Sequence, residues 1–137
     1  MVRPIIQDAF FLMQPSQPAK RSDLPIAKDL SDTLKAHIGH CVGLAANMIG
    51  ERRNIIAFLV GEMPVVMLNP KIVGHSSETY EAEEGCLSLS GVRKAVRYRQ
   101  IEVEYEDMMM RKRRNAYRNF TAQIIQHEMD HCKGVLI

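Results

Sequence analysis

The sequence predicts an α+β domain in which antiparallel strands lie between two helices. Two observations lead there: apolar residues recur at spacings of three and four near each end of the chain, and the segments between them are short β-favouring runs. Helix, strands and helix in that order is the α+β arrangement. With 137 residues the chain is one domain, 1–137, large enough to bury roughly two thirds of its unfolded surface without disulfide staples.

The elements follow in order. Met1 to Arg21 holds Pro4, Pro15 and Pro18 and little periodicity, so residues 1–21 read as an extended arm wrapped on the body. Ser22 and Asp23 with Pro25 mark a helix start, and Ile26, Ala27, Leu30, Leu34 and Ile38 give one amphipathic helix ending near Gly39. Asn54 to Val60 and Met63 to Leu68 form a hairpin around Gly61-Glu62, and Gln100 to Asp107 puts Ile101, Val103 and Tyr105 on one strand face. Met108 to Arg114, M-M-M-R-K-R-R, reads as a solvated hairpin tip, and Asn115 to Asn119 as a polar link. Phe120, Ile124 and Ile125 open a second helix, with Gly134 as its stop.

Hydrophobic residues at 46% and charged residues at 25% exclude a disordered chain. A net charge of +2 gives no reason to expect DNA as a partner. Ile55 to Val60 and Ala9 to Met13 are too short for a membrane span or a secretory segment, so the expected location is cytoplasmic, with no membrane partner. Cys41, Cys86 and Cys132 fit no disulfide framework and read as reduced thiols.

The second helix carries the chemistry. In Q-H-E-M-D-H, Gln126 to His131, the two histidines stand one helical turn apart and can present two imidazole nitrogens to one cation. Glu128 lies on the next face, where a carboxylate can accept a proton from water activated by that cation. The other reading, a surface pair of histidines, is opposed by Ile124 and Ile125 just before them. A catalytic centre needs a third protein ligand and an open position. The longer metalloprotease pattern H-E-x-x-H-x-x-G-x-x-H is matched through Gly134, but its last position is Ile137, which cannot coordinate, and no carboxylate follows His131. The third ligand is therefore sought upstream. E-E-G-C-L-S, Glu83 to Ser88, places Cys86 in a loop, as a thiolate ligand or as an inert thiol. His37, His40 and His75 have no partner at ligand spacing and read as surface or structural residues.

Three segments then occur in order: G-L-A-A-N-M-I-G from Gly43, E-G-C-L-S from Glu84, and Q-H-E-M-D-H from Gln126. Together they resemble the three motifs of the peptide deformylases, over about residues 20–137. The resemblance implies a deformylase-like fold, with antiparallel strands packed around a metal-binding helix. It also implies a hydrolase that removes the N-formyl group from the first methionine of nascent peptides. By that resemblance Cys86, His127 and His131 hold one divalent metal, ferrous iron in the family, with zinc or nickel also accepted; spacing alone favours zinc. Glu128 is then the general acid and base, and the Leu87 N–H stabilises the oxyanion. Backbone at Gly43, Gly85 and Leu87 pairs with the peptide as an added strand. Val42, Glu84, Phe120, Ile124 and His127 align with the methionine pocket. N-formyl-methionyl peptides are the implied partners, with a ribosome contact through Arg111 to Arg114 as the alternative to a bare solvated tip.

The sequence departs from the family's G-x-G-x-A-A-x-Q, with Cys41 for the first glycine and Met48 for the glutamine. That glutamine donates to the oxyanion, a thioether has no proton to donate, and losing one such donor typically costs about 10²- to 10³-fold in turnover. Ser90 also stands where the family commonly has proline. If Met48 simply packs against the first helix, the protein keeps a deformylase scaffold with reduced activity; the alternative is a catalytically weak homologue that binds N-terminal peptides or hydrolyses another acyl amide.

Overall fold

The computed structural model describes residues 1–137. It has three α-helices, α1 (Ala9–Leu12), α2 (Leu24–Ala36) and α3 (Asn119–Cys132), and seven strands. The strands are β1 (Gly43–Ala45), β2 (Ile55–Val60), β3 (Met63–His75), β4 (Thr79–Glu84), β5 (Arg93–Tyr98), β6 (Gln100–Glu106) and β7 (Lys112–Arg118). Five form an antiparallel sheet in the order β1-β2-β3-β6-β7, and β4 pairs with β5 in a separate ribbon. This is the α+β class that the sequence predicts.

Helix α2 begins at Leu24, where Pro25 fits the first turn, and buries Ala27, Leu30, Thr33 and Leu34. It stops at Ala36, three residues before Gly39. Gly61, at φ +63, turns β2 into β3, with Val60 opposite Met63. β3 then runs past the expected Leu68 to His75, because a register shift lets its second half pair with β6. Asn69 sits at that shift with φ +52. Its side chain accepts from the Ala19 N–H (2.7 Å) and donates to the Ala19 carbonyl (3.0 Å), tying the N-terminal arm to the sheet. The arm itself is extended apart from α1, whose first turn is capped by the Asp8 carboxylate.

The segment from Lys112 to Arg118 corrects the sequence reading. It is not a tip followed by a link but the edge strand β7, paired with β6 from Glu106↔Lys112 to Gln100↔Arg118. The tip is confined to the turn from Asp107 to Arg111. Hydrophobic periodicity does not reveal β4 and β5 either, since the buried positions on their covered faces are charged, Glu84 and Arg97.

Leu30 and Leu34 of α2, Ile125 of α3, and Leu44, Ile55, Phe58, Met67 and Leu68 from the sheet side meet in one core. Helix α3 is covered on most of its circumference, from Ala122 through Cys132. Gly134, at φ +79, ends it, and a Cβ there would collide with the Met13 carbonyl. No helix is long and apolar enough to cross a membrane.

Candidate metal centre and cleft

The β4–β5 ribbon brings Cys86 to the helix that carries the two histidines. The Tyr98 N–H donates to Gln126 Oε1 (2.9 Å), Gln126 Nε2 donates to the Tyr98 carbonyl (3.0 Å), and the Tyr80 hydroxyl donates to Gln123 Oε1 (2.8 Å). These bonds dock the ribbon on α3, and the loop between β4 and β5 then sets Cys86 over the last two turns. Its Sγ lies 3.4 Å from His131 Nε2, which lies 3.1 Å from His127 Nε2. Ligating atoms of Cys86, His127 and His131 all fall within 4.8 Å of one another. All three cysteines are free thiols.

His127 is held from behind. Its Nδ1 donates to Glu84 Oε1 at 2.8 Å, and Arg97 grips the same carboxylate through Nε (2.9 Å) and an Nη (2.6 Å). The other Nη of Arg97 donates to Asp130 at 2.6 Å, so β4, β5 and α3 share one buried guanidinium. Burial works against the Glu84 charge, yet the Arg97 and His127 hydrogen bonds outweigh it and hold the carboxyl at about 2. A histidine whose Nδ1 is tied to a carboxylate presents Nε2 as its free lone pair.

The donor set fits a divalent cation. Burial opposes a charge on His127, but bonds to Cys86 and Glu84 override it and raise its pKa to about 10. Burial and the adjacent His127 push His131 down to about 3. Two Nε2 atoms 3.1 Å apart cannot both carry a proton, so this corner favours positive charge between the rings without room for two protons. One cation on a thiolate and two neutral imidazoles meets that demand.

Glu128 is buried, and its Oε1 has no partner in the chain. Desolvation pushes its carboxyl up to about 7, the range in which one group can both take and return a proton at neutral pH. Gly43 of β1 presses against it, since a Cβ at that position would stand 2.8 Å from Glu128 Oε2 and 2.8 Å from Ile124 Cγ2. Beside it opens a cleft of about 660 Å³, the size of a small-ligand site. Val42, Gly43, Glu84, Gly85, Leu87, Phe120 and Ile124 all line it, together with Cys86, His127 and Glu128. Met48 does not: it is buried in the core, where its sulfur accepts from the Ala45 N–H at 3.4 Å.

Sequence reading missed several residues here. Cys41, Leu59 and Gln123 also line the cleft, as does His40, which had been set aside. His75 stacks on Tyr98 at 3.8 Å between ring centroids, and His37 binds the Thr33 carbonyl through Nδ1 at 2.8 Å. The largest omission is Arg97. Among Arg93, Arg97 and Arg99 nothing in the spacing marks the buried one.

Three side chains that could hold one metal ion, beside an open cleft and a buried carboxyl, fit a class, the mononuclear metallohydrolases, in which one coordination position is left for water. Comparisons with known proteins narrow the class. The family model for polypeptide deformylase matches residues 3–137. The chain is 50% identical over 137 residues to a peptide deformylase of Clostridium beijerinckii, covering all of both proteins. It is 38% identical over 132 residues to one of Synechocystis, covering 88% of this chain and 70% of that protein. Crystal structures of peptide deformylases from Legionella pneumophila and Thermotoga maritima superpose with TM-scores of 0.89 and 0.88, each at 28% identity. Both alignments cover 99% of this chain, with 83% of the first structure and 95% of the second. The chain belongs to the polypeptide deformylase family. These relatives favour a hydrolase over a homologue that only binds peptides.

Proposed function

We propose that this protein hydrolyses the N-formyl group from the N-terminal methionine of nascent peptides, releasing formate and a free amine, with Cys86, His127 and His131 holding one divalent cation. The observation that carries the reading is the convergence of those three side chains beside a cleft that Cys86, His127 and the buried carboxyl of Glu128 line. The cation, ferrous iron in the cell with zinc or nickel able to replace it, supplies Lewis acidity that activates water and polarises the formyl oxygen.

The chain's own groups do the rest. Glu128 takes the proton from the attacking water and returns it to the leaving amine, and its near-neutral pKa serves both steps. The Leu87 N–H, which donates no hydrogen bond within the chain, is the oxyanion donor. Met48 lies in the core, so it offers that oxygen nothing. β1 is an edge of the five-stranded sheet, and its open side receives the peptide as an added strand, with backbone at Gly85 and Leu87, which line the same cleft as Gly43, pairing with it too. Val42, Phe120 and Ile124 take the methionine side chain. Both Glu84 oxygens are already engaged, so Glu84 contributes its aliphatic stem.

Such a substrate is made at the ribosome, which puts the protein in the cytoplasm. A transient ribosome contact would fall on Arg111 to Arg114. There Arg111 and Arg113 already pair with Asp107, and Arg114 with Glu102 and Glu104, so that contact would be weak and sensitive to salt.

Formate release from formyl-methionyl peptides by protein prepared anaerobically with iron tests the assignment. Glu128→Ala is expected to lower kcat by about 10²- to 10⁴-fold with cation content unchanged. A wild-type protein that binds the cation yet releases no formate would overturn it.

A further inference from the structure

Behind the second histidine stands a residue that none of the roles above uses. Asn47, in the 3-10 turn Ala46–Ile49, is fully buried, and its Nδ2 donates to the backbone carbonyl of His131 at 2.9 Å. Two buried polar atoms of this same pair have no partner within the chain: Asn47 Oδ1, an acceptor, and His131 Nδ1. His131 is itself fully buried, so bulk solvent does not satisfy either atom.

The two histidines are therefore supported unequally. Nε2 of His131 is the nitrogen turned toward Cys86 and His127, and once Nε2 is given to the proposed cation a neutral ring carries its proton on Nδ1. A metal-binding histidine ordinarily gives that second N–H to an acceptor, which fixes its tautomer and ring orientation. For His127 the acceptor is Glu84. For His131 no carboxylate fills the role. Among the unpartnered buried oxygens only Asn47 Oδ1 belongs to a side chain already bonded to His131.

We infer that Asn47 is a positioning residue for His131. Its amide N–H clamps the last turn of α3, and its amide oxygen takes the Nδ1–H through one bridging water, which turns Nε2 toward the cation. Such a water has enough polar partners to be held in a buried site. The inference rests on the cation site proposed above.

Zinc serves as the probe. In the zinc-loaded wild-type protein with ¹⁵N-labelled histidine, His131 is expected to show a slowly exchanging Nδ1 proton and an Nε2 bound to metal. Asn47→Leu is expected to weaken zinc binding about 10- to 100-fold by chelator competition and to speed exchange of that proton. The control is Thr33→Val, which removes a buried side-chain hydrogen bond to the Asp29 carbonyl on α2 and should leave zinc affinity unchanged. Asn47→Leu binding zinc within about twofold of the wild type would overturn the inference while leaving the cation site standing. So would a His131 bound through Nδ1, which the wild-type spectrum reveals even if Asn47→Leu does not fold. A wild-type protein that binds no zinc would remove both.

Discussion

Arg97 on β5 and Arg114 on β7 each reach two carboxylates at short range, yet the two sites differ in kind. The Arg97 side chain is 6% exposed and joins Glu84, 5% exposed, to Asp130. The Arg114 side chain is 55% exposed, and its partners Glu102 and Glu104 are also open to water. The shortest contact does not separate them, 2.6 Å in one corner against 2.7 Å in the other, and the second contact, 2.6 Å against 3.4 Å, does so only in part. Burial does. Where water is excluded, removing one charge leaves its partner with nothing to solvate it; where water is present, solvent takes over.

The sharpest way to test that difference is Arg97→Met. It leaves Glu84 buried beside His127 without its guanidinium partner, and breaking a pair of this kind costs about 3–5 kcal/mol. Urea unfolding should register the loss, and zinc affinity should fall with it because Glu84, the acceptor that anchors His127, is no longer held in place by Arg97. Adding Glu84→Gln is expected to recover part of the stability, since the amide oxygen still accepts from His127 while the stranded charge is gone. A single-variant loss below about 1 kcal/mol would mean that the corner is far wetter than its burial indicates.

Much of this corner was legible in the sequence, and its support was not. Residues four apart on a helix announce His127 and His131, a local signal; the loop composition around Gly85 leaves Cys86 open between ligand and inert thiol, and only the resemblance to the deformylases names it as a ligand. Arg97 and Asn47 meet their partners only through tertiary pairing, Arg97 across the β4–β5 ribbon and Asn47 with a carbonyl 84 residues away. A buried arginine among three looks like a solvated one until the ribbon is placed on α3. The fold divides the same way. α2, α3, the β2–β3 hairpin and β6 bury apolar residues and so are read from hydrophobic pattern; β4 and β5 cover their inner faces with polar residues as well, and β7 is almost wholly exposed, so they are not. Met48 shows the limit of motif reading: the missing glutamine is plain in sequence, whereas the direction of its replacement, into the core, is a property of packing.

A second test presses on the corner from inside. Gly43→Ala places a methyl 2.8 Å from both Glu128 Oε2 and Ile124 Cγ2, so one of them must shift. Overpacking of this sort costs about 1–3 kcal/mol. Glu128 is the freer of the two, and its displacement should appear as a loss of about 10²-fold in kcat with cation content preserved. Gly61→Ala is the comparison at the exposed hairpin, which lines the same cleft but where no atom lies within 4 Å of the added Cβ. Its effect should be confined to the strain of φ +63, with kcat unaltered. Equal losses of kcat at both positions would break the distinction between corner and hairpin.

The smallest effect is expected at Arg114 itself. Arg114→Ala should leave the urea midpoint, its slope and formate release where they are. The reason is physical and not merely that the residue is peripheral. Glu102 and Glu104 are hydrated whether or not the guanidinium is present, the long side chain loses rotamer freedom in reaching them, and salt screens what attraction remains. The hairpin is held instead by its main-chain ladder, which runs unbroken from Glu106↔Lys112 to Gln100↔Arg118, and by Tyr117 packing edge-on against Phe58 at 6.0 Å. Neither depends on Arg114. If the variant nonetheless unfolded as readily as Arg97→Met, surface charge would be holding β7 to the sheet, and burial would no longer explain why two arginines with such similar contacts differ.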